Sequence, residues 1–353
     1  MEHRLELLRE LSQAHGVSGF EDEVREIIHQ RIESKADEVF EDALGNLFAI
    51  RRGERDFTLM LDAHLDEIGL MINHIDAKGF LHFIPIGGWD PRILPTHMVE
   101  ILTRGGKKYK GIIGMPPPHI SNPKERKQVL EIEKLFIDVG AKSEEEVRRM
   151  GIELGDPATI VYPFGRLNGE YVLSKAFDNR AGCAILVEIL ERLEGKTPPV
   201  TVVCAFCVCE EVGLRGARAA AYRVRPDLAL VVEGTIGAGT PGVPAQRQLT
   251  QMGRGVALTL ADKRTIVRSR MIRALEELAK RFSIPFQYKQ PGFGGTDAGE
   301  IHISREGVLT GIVAVPCRYI HSPCQLMNLG DYRATLELVE KFLWNCLEFF
   351  EKR

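Results

Sequence analysis

Four apolar runs in this sequence each lead into a short polar cluster. Residues 57–63 lead into His64, Leu65, Asp66 and Glu67, and 200–209 lead into Glu210 and Glu211. Residues 227–233 end on Glu233, and 307–316 are followed by Arg318, Tyr319, Ile320, His321 and Ser322. A fifth segment, KAFDNRAG (175–182), sets Asp178 at the start of a helical pattern that begins near Asn179. The candidates are thus His64, Asp178, Glu210, Glu211, Glu233 and His321. Two imidazoles among several carboxylates suit borderline divalent ions such as zinc, cobalt or manganese. Four carboxylates in one cleft would repel strongly at low dielectric, and two divalent cations would compensate them. A pair of ions lowers the pKa of a shared water, polarises a carbonyl and holds the attacking and leaving groups.

Such chemistry needs elements that bring the clusters together. The four apolar runs have the length and composition of strands buried on both faces of a parallel sheet. Helical patterns at 179–193, 214–222, 265–282 and 331–350 lie between or after them, so the expected fold is α/β, a mainly parallel sheet flanked by helices. In open sheets of this kind ligands sit beyond the carboxyl ends of the strands, which sends all the polar clusters to one crevice. Adjacent residues on a regular strand point to opposite faces, so Glu210 and Glu211 can share a site only if the strand is ending there. Val212 and Gly213 fit such an ending. One glutamate could then bind metal while its neighbour, unligated, moves a proton from the attacking water to the leaving amine.

Leu5, Leu7, Leu8 and Leu11 predict an opening amphipathic helix, and 21–32 a second, separated by a break at Gly16 to Gly19. The first carries charges throughout and resembles neither a signal peptide nor a membrane span. Residues 70–163 differ in texture, with short strand-like runs between glycines and prolines. The expected division is therefore 1–69 with 164–353 as one domain and 70–163 as a small β-rich insertion. Within it, Ser143, three glutamates, Arg148, Arg149 and Gly151 predict one short capped helix. The proline-broken, charged stretch 116–128 reads as an exposed loop.

The chain has 353 residues, 44% of them hydrophobic, and a net charge of −3 without long basic runs. Nucleic acid and anionic membranes are therefore not expected partners. Seven cysteines in apolar segments read as reduced, buried thiols and point to the cytoplasm. Cys204, Cys207 and Cys209 read as packing residues, with Cys204 on the opposite face from the other two. Asp297, in GGTDAG, is expected to shape the cleft, and His302 to pack beside it. His74, His82, His97 and His119 fall in the insertion and read as surface or interface residues. Lys175, Arg180 and Arg318 could meet a substrate carboxylate or serve in ordinary ion pairs.

AHLDEIGLM (63–71), KAFDNRAG (175–182), EEVGLRGA (210–217), VEGTIGAGTPG (232–242), GGTDAGEIH (294–302) and PCRYIHSP (316–323) together resemble the M42 aminopeptidases, the group related to the tetrahedral TET, deblocking and glutamyl aminopeptidases. The resemblance spans nearly the whole chain. It implies a zinc-peptidase-like catalytic domain with two divalent ions, zinc or cobalt before manganese, and hydrolysis of N-terminal residues from short peptides by a bridging hydroxide. His64, Asp178 and Glu233 would hold one ion and Asp178, Glu211 and His321 the other. Glu210 would be the general base, and Asp66 would orient His64. Glu233 stands where many members have aspartate. The resemblance also makes 70–163 a dimerisation domain, with dimers as building blocks of a homo-oligomer up to a tetrahedral dodecamer. Two rival readings are a metal-independent glycoside hydrolase, which also uses paired acids, and a non-catalytic assembly protein on the same scaffold.

Overall fold

The computed structural model describes residues 2–117, 119 and 129–350, the first three of these as backbone only. Most of the 116–128 loop lies outside the described residues. The chain opens with α1 (Glu2–Gln13) and α2 (Asp22–Ile32). Their apolar stripes, Leu7, Leu8 and Leu11 on one and Val24, Ile28 and Ile32 on the other, are buried in the main core, as helical spacing requires. Then come β1 (Glu38–Glu41), β2 (Leu47–Arg51) and β3 (Arg55–His64).

The next segment turns away from this sheet. β4 (Gly69–Ile75), β5 (Leu81–Ile86), β6 (Met98–Leu102), β7 (Lys108–Gly114), β8 (Phe136–Asp138), α3 (Glu144–Met150) and β9 (Pro157–Ile160) follow. The six strands close into a barrel in the order β4, β5, β8, β7, β6, β9. The barrel has an apolar core of its own, including Leu70, Ile72, Val99, Ile101 and Ile137. α3 is the short helix expected from its cap: Ser143 Oγ accepts the Glu146 N–H at 3.2 Å, and Gly151 ends it at φ 85°.

The chain then returns with β10 (Gly165–Arg166), β11 (Tyr171–Ser174), α4 (Phe177–Leu193), β12 (Val200–Cys207), α5 (Arg215–Val224) and β13 (Leu228–Ala238). It continues with β14 (Thr250–Gln251), β15 (Val256–Thr259), α6 (Ser269–Arg281), β16 (Phe286–Lys289), α7 (Ala298–Ile301), β17 (Leu309–Arg318), β18 (Gln325–Asn328) and α8 (Leu329–Phe350).

The sheet has twelve strands, nine of them in the order β1, β2, β12, β3, β13, β17, β18, β11, β10. It is mixed, which corrects the expectation of a mainly parallel one. The four apolar runs do form its parallel centre, β12, β3, β13 and β17. β1, β2, β15, β18, β11 and β10 join antiparallel. These strands are mostly short and some are partly exposed, so they lack the unbroken apolar signature of a strand buried on both faces. No helix among the described residues is long and apolar enough to cross a membrane.

Candidate metal centre

The site forms where β3 stops. β12 pairs with β3 up to Cys207 opposite His64, the last residue of β3. On the other side, β13 pairs with β3 only as far as Val231 opposite Asp62 and then runs on beside β17. The two strands part there and leave a crevice. Glu233 therefore lies within β13, opposite Ala314 of β17, and not at a strand end as the sequence had suggested. It faces the crevice because β13 and β3 stop pairing after Val231, which leaves Glu233 beside His64 at the end of β3. β17 also continues to Arg318, after which Tyr319 and His321 take left-handed backbone conformations, φ 61° and 54°.

The adjacent glutamates reach the crevice because β12 ends before them. Cys209 has φ 57°, and the N–H groups of Gly213 and Leu214 both donate to Glu210 O, so 210–214 is a tight turn. Asp66 pins this turn. Its Oδ1 accepts the Glu210 N–H at 2.9 Å, and its Oδ2 accepts the Glu211 N–H at 3.1 Å and the Ser18 hydroxyl at 2.6 Å. Asp178 stands at the start of α4, where its N–H donates to Gln325 Oε1 at 2.8 Å. α4 lies close against β13: Asn179 Nδ2 donates to Val232 O at 2.9 Å, and Asn179 Oδ1 accepts the Gly182 N–H.

All six candidates meet in one cleft of about 660 Å³. His64 Nε2 lies 3.2 Å from Glu233 Oε1, 3.5 Å from Asp178 Oδ1 and 4.0 Å from Glu210 Oε2. His321 Nε2 lies 3.2 Å from Glu211 Oε2 and 3.7 Å from Asp178 Oδ2. The two oxygens of Asp178 thus face different histidines. The far nitrogen of each ring is also placed. His64 Nδ1 is 3.2 Å from Asp66 O and 3.5 Å from its Oδ1, and His321 Nδ1 is 3.2 Å from Gly88 O.

These separations suit shared cations. Ligand atoms about 2.1 Å from a tetrahedral ion stand roughly 3.4 Å from one another. Glu233 Oε2 is buried without a hydrogen-bond partner, and both groups, His64 with Glu210 and Glu233, and Asp178 with Glu211 and His321, offer converging ligand atoms. The residues present therefore fit two divalent ions.

The electrostatics agree. Burial pushes Glu233 up to about 7, partly opposed by His64. It pushes Glu210 well above the usual carboxyl range, with Glu211 and Glu233 adding to the effect. Burial favours neutral imidazoles, yet Glu233 and Glu210 hold His64 well above its ordinary pKa, and Glu211 and Asp178 carry His321 up to about 9. Burial likewise opposes ionisation of Asp178, but His64 and His321 keep it below its usual range. The cluster is an environment that lacks positive charge.

Other residues sort themselves by contact. Asp297 is buried behind the cleft, where Asp62, Cys207 and Asp297 form a third group; the Asp297 carboxyl faces that of Asp62, and Cys207 Sγ donates to Asp62 Oδ1 at 2.9 Å. Sequence reasoning missed Asp62, although its position two residues before His64 puts it on the same face of β3. Cys204 is in the core, and all seven cysteines are free thiols. Lys175 Nζ donates to Glu67 Oε1 at 2.6 Å, and the fully buried Arg180 bonds the carbonyls of Leu11, Gly16 and Leu65. Arg318 Nε donates to Ala238 O. None of these three is a free cation facing the cleft. His302 Nδ1 lies 2.7 Å from Ala298 O, in a local contact within the chain. His74 and His82 pack ring to ring in the barrel.

The profile of the M42 glutamyl aminopeptidase family matches residues 45–338, and a second one, described as AMPT, matches 2–28. The chain belongs to the M42 family. The putative aminopeptidase FrvX of Escherichia coli is 35% identical over 96% of this chain and 94% of its own length. A TET aminopeptidase from the marine sediment archaeon Thaumarchaeota archaeon SCGC AB-539-E09 superimposes with a TM-score of 0.96 at 38% identity, covering 99% of this chain and 98% of that one. The Pyrococcus horikoshii TET1 peptidase, described as assembling into a tetrahedron or a large octahedral shell, gives 0.88 at 32% identity over 97% and 99%. Relatives differ in the residue that their names assign. A lysyl aminopeptidase of Pyrococcus furiosus and a glutamyl aminopeptidase of Lactococcus lactis subsp. cremoris are each 32% identical, over 96% and 92% of this chain and 96% and 91% of theirs. Membership of M42 makes this chain a peptide-bond hydrolase.

Proposed function

We propose that the protein is a dinuclear metal-dependent aminopeptidase that removes the N-terminal residue of short peptides. His64, Asp178 and Glu233 would hold one divalent cation and Asp178, Glu211 and His321 the other, with zinc or cobalt the expected metals and manganese an alternative. The observation that carries this reading is the split of the Asp178 carboxylate between the two histidines, at 3.5 and 3.7 Å. When bound, such ions supply Lewis-acid polarisation of the scissile carbonyl and a water of lowered pKa.

The residues of the chain do the rest. Glu210 lines the cleft beside both groups, and its burial favours holding a proton. It accepts the proton of the attacking water and passes it to the leaving amine. Asp66 fixes the backbone of both glutamates and stands behind His64, so one side chain orients base and ligands together.

The partner would be a second copy of the chain. Met98 and Ile112 are directly paired across β6 and β7, and they are 43% and 45% exposed on the barrel. A paired, exposed apolar surface of this kind suits a contact between barrels, with dimers as units of a larger assembly. The seven free thiols suit a reducing compartment, the cytoplasm.

Two variants test the mechanism. Glu210→Gln is expected to keep both ions while losing 10²–10⁴-fold in turnover, and Asp178→Asn to lose metal as well. Metal analysis beside kinetics decides, and a fully active Glu210→Gln enzyme would end the general-base assignment.

A further inference from the structure

The barrel carries a pair of imidazoles that the hydrolytic centre does not use. Leu70 and Ile72 of β4 point into the barrel core, and unbroken alternation along the strand would send residue 74 there too. The register shifts between Ile72 and His74, so that Ile75 is the next buried residue and His74 is exposed. This extra residue sets His74 directly opposite His82 of β5. His82 lies between the buried Leu81 and Phe83 and therefore also faces outwards.

The two rings stand side by side on the outer face of the barrel, with centroids 5.5 Å apart and planes 36° apart. Neither makes a hydrogen bond or an ion pair among the described residues. Asp76, two residues after His74, is near enough to His82 for opposite charges on the two to attract. Its Oδ1 accepts the N–H groups of Lys78 and Phe80, both at 2.9 Å, so the turn between the strands holds the carboxylate in place.

This spacing is the one that a shared ion requires. A ring nitrogen about 2.0–2.1 Å from zinc puts the ring centre roughly 3.2 Å from the ion, and two such rings at a tetrahedral angle have centres roughly 5.2 Å apart. Without an ion, two directly opposed imidazoles repel when both are protonated. We propose that His74 and His82 form a further metal site, which takes a borderline divalent transition ion such as zinc, with the Asp76 carboxylate beside it and water completing the coordination. Imidazole donors select such ions over magnesium and calcium, which take oxygen ligands. Two imidazoles are fewer protein ligands than a closed structural site has, so this ion exchanges with solvent more readily. It clips β4 to β5 and stabilises the folded barrel by mass action. The proposal rests on neither the aminopeptidase reading nor the ligands of the cleft.

The test is equilibrium dialysis of the full chain against rising free zinc, with zinc counted per chain in the wild type, His74→Asn and His82→Asn. Each variant is expected to hold one zinc fewer than the wild type where the wild-type site is full, and to keep its rate on leucine p-nitroanilide. Changing even a group behind a ligand costs about 10–100-fold in affinity, so removing one of two ligands should cost at least tenfold. Asp76→Asn should weaken the site without abolishing it, and magnesium should not fill it. Because the readout is a difference between chains, it holds whatever number of ions the cleft takes. Equal zinc in the wild type and both variants would overturn the proposal. So would a difference of one ion per two chains, which would place the ion between copies, or a loss of zinc accompanied by loss of the rate, which would place it at the catalytic centre. Absence of hydrolysis in the wild type would overturn the aminopeptidase reading alone.

Discussion

Asp66 holds four groups at once: the Ser18 hydroxyl, the N–H groups of Glu210 and Glu211, and the near side of the His64 ring. Both of its oxygens act as acceptors, so Asp66→Asn would turn one of them into a donor facing an N–H or hydroxyl. Metal affinity is expected to fall about 10–100-fold, as is common when a group behind a ligand is changed. Titration of the apo variant with zinc or cobalt checks this, and unchanged affinity would remove Asp66 from the positioning role. The six residues of the crevice could be picked out in the sequence because acids and histidines that close or follow apolar runs, or, like Asp178, open a helical pattern, are unusual in type and place, although Glu233 proved to lie within its strand. Asp62, Asp297 and Lys289, a buried lysine that lines the crevice, were not legible as a set. Their meaning depends on what each is buried against, and one sequence does not record the surroundings of single polar atoms. Lys175, Arg180 and Arg318 looked equally available in sequence, and only their bonds to Glu67 and to backbone carbonyls separate them from Lys289.

At the scale of elements, the site depends on how closely α4 approaches β13. A Cβ added to Gly182 would sit 2.5 Å from Val232 O and would also collide with the Asn179 side chain. Gly182→Ala must therefore push α4 outwards and carry Asp178 away from Glu233. The expected cost is about 1–3 kcal/mol of stability, together with weaker metal binding; thermal melting with and without metal measures both. The junction after α1 gives a pH effect. His15 is fully buried, neither ring nitrogen has a partner, and burial pushes its pKa down to about 4, with Glu67 opposing and Lys175 assisting. The unfolded chain protonates near 6.5, before the folded one, so stability is complete above that pH. It falls as the pH drops from 6.5 to 4, by on the order of 3 kcal/mol. His15→Phe should flatten that limb in denaturant melts, and an unchanged slope would contradict the assignment. Elements with strong periodicity, α1, α2, α4, α8 and the four central strands, were readable beforehand. The antiparallel flanks were not, because two- to five-residue strands such as β1, β10 and β18 carry too few side chains to show a pattern.

For the whole molecule, the barrel enters the chain five residues after His64 and returns its Gly88 carbonyl to His321, so it is tied to the site as well as set apart by its own core. If barrels join copies, a charge placed in the Met98 and Ile112 pair should break the assembly. Ile112→Glu is expected to shift the particle to a smaller mass by light scattering, and an unchanged mass would move the interface elsewhere. The β-rich texture of 70–163 was readable from its glycine and proline punctuation, whereas closure into a barrel depends on long-range register that short strands do not announce. The most direct test of the central claim is hydrolysis of free-amine aminoacyl amides and their N-acetylated counterparts by the purified protein, before and after chelation and with zinc, cobalt or manganese restored at measured stoichiometry. The account predicts activity on the free amines that vanishes on chelation and returns as two ions bind per chain; activity that survives with no metal bound would contradict it.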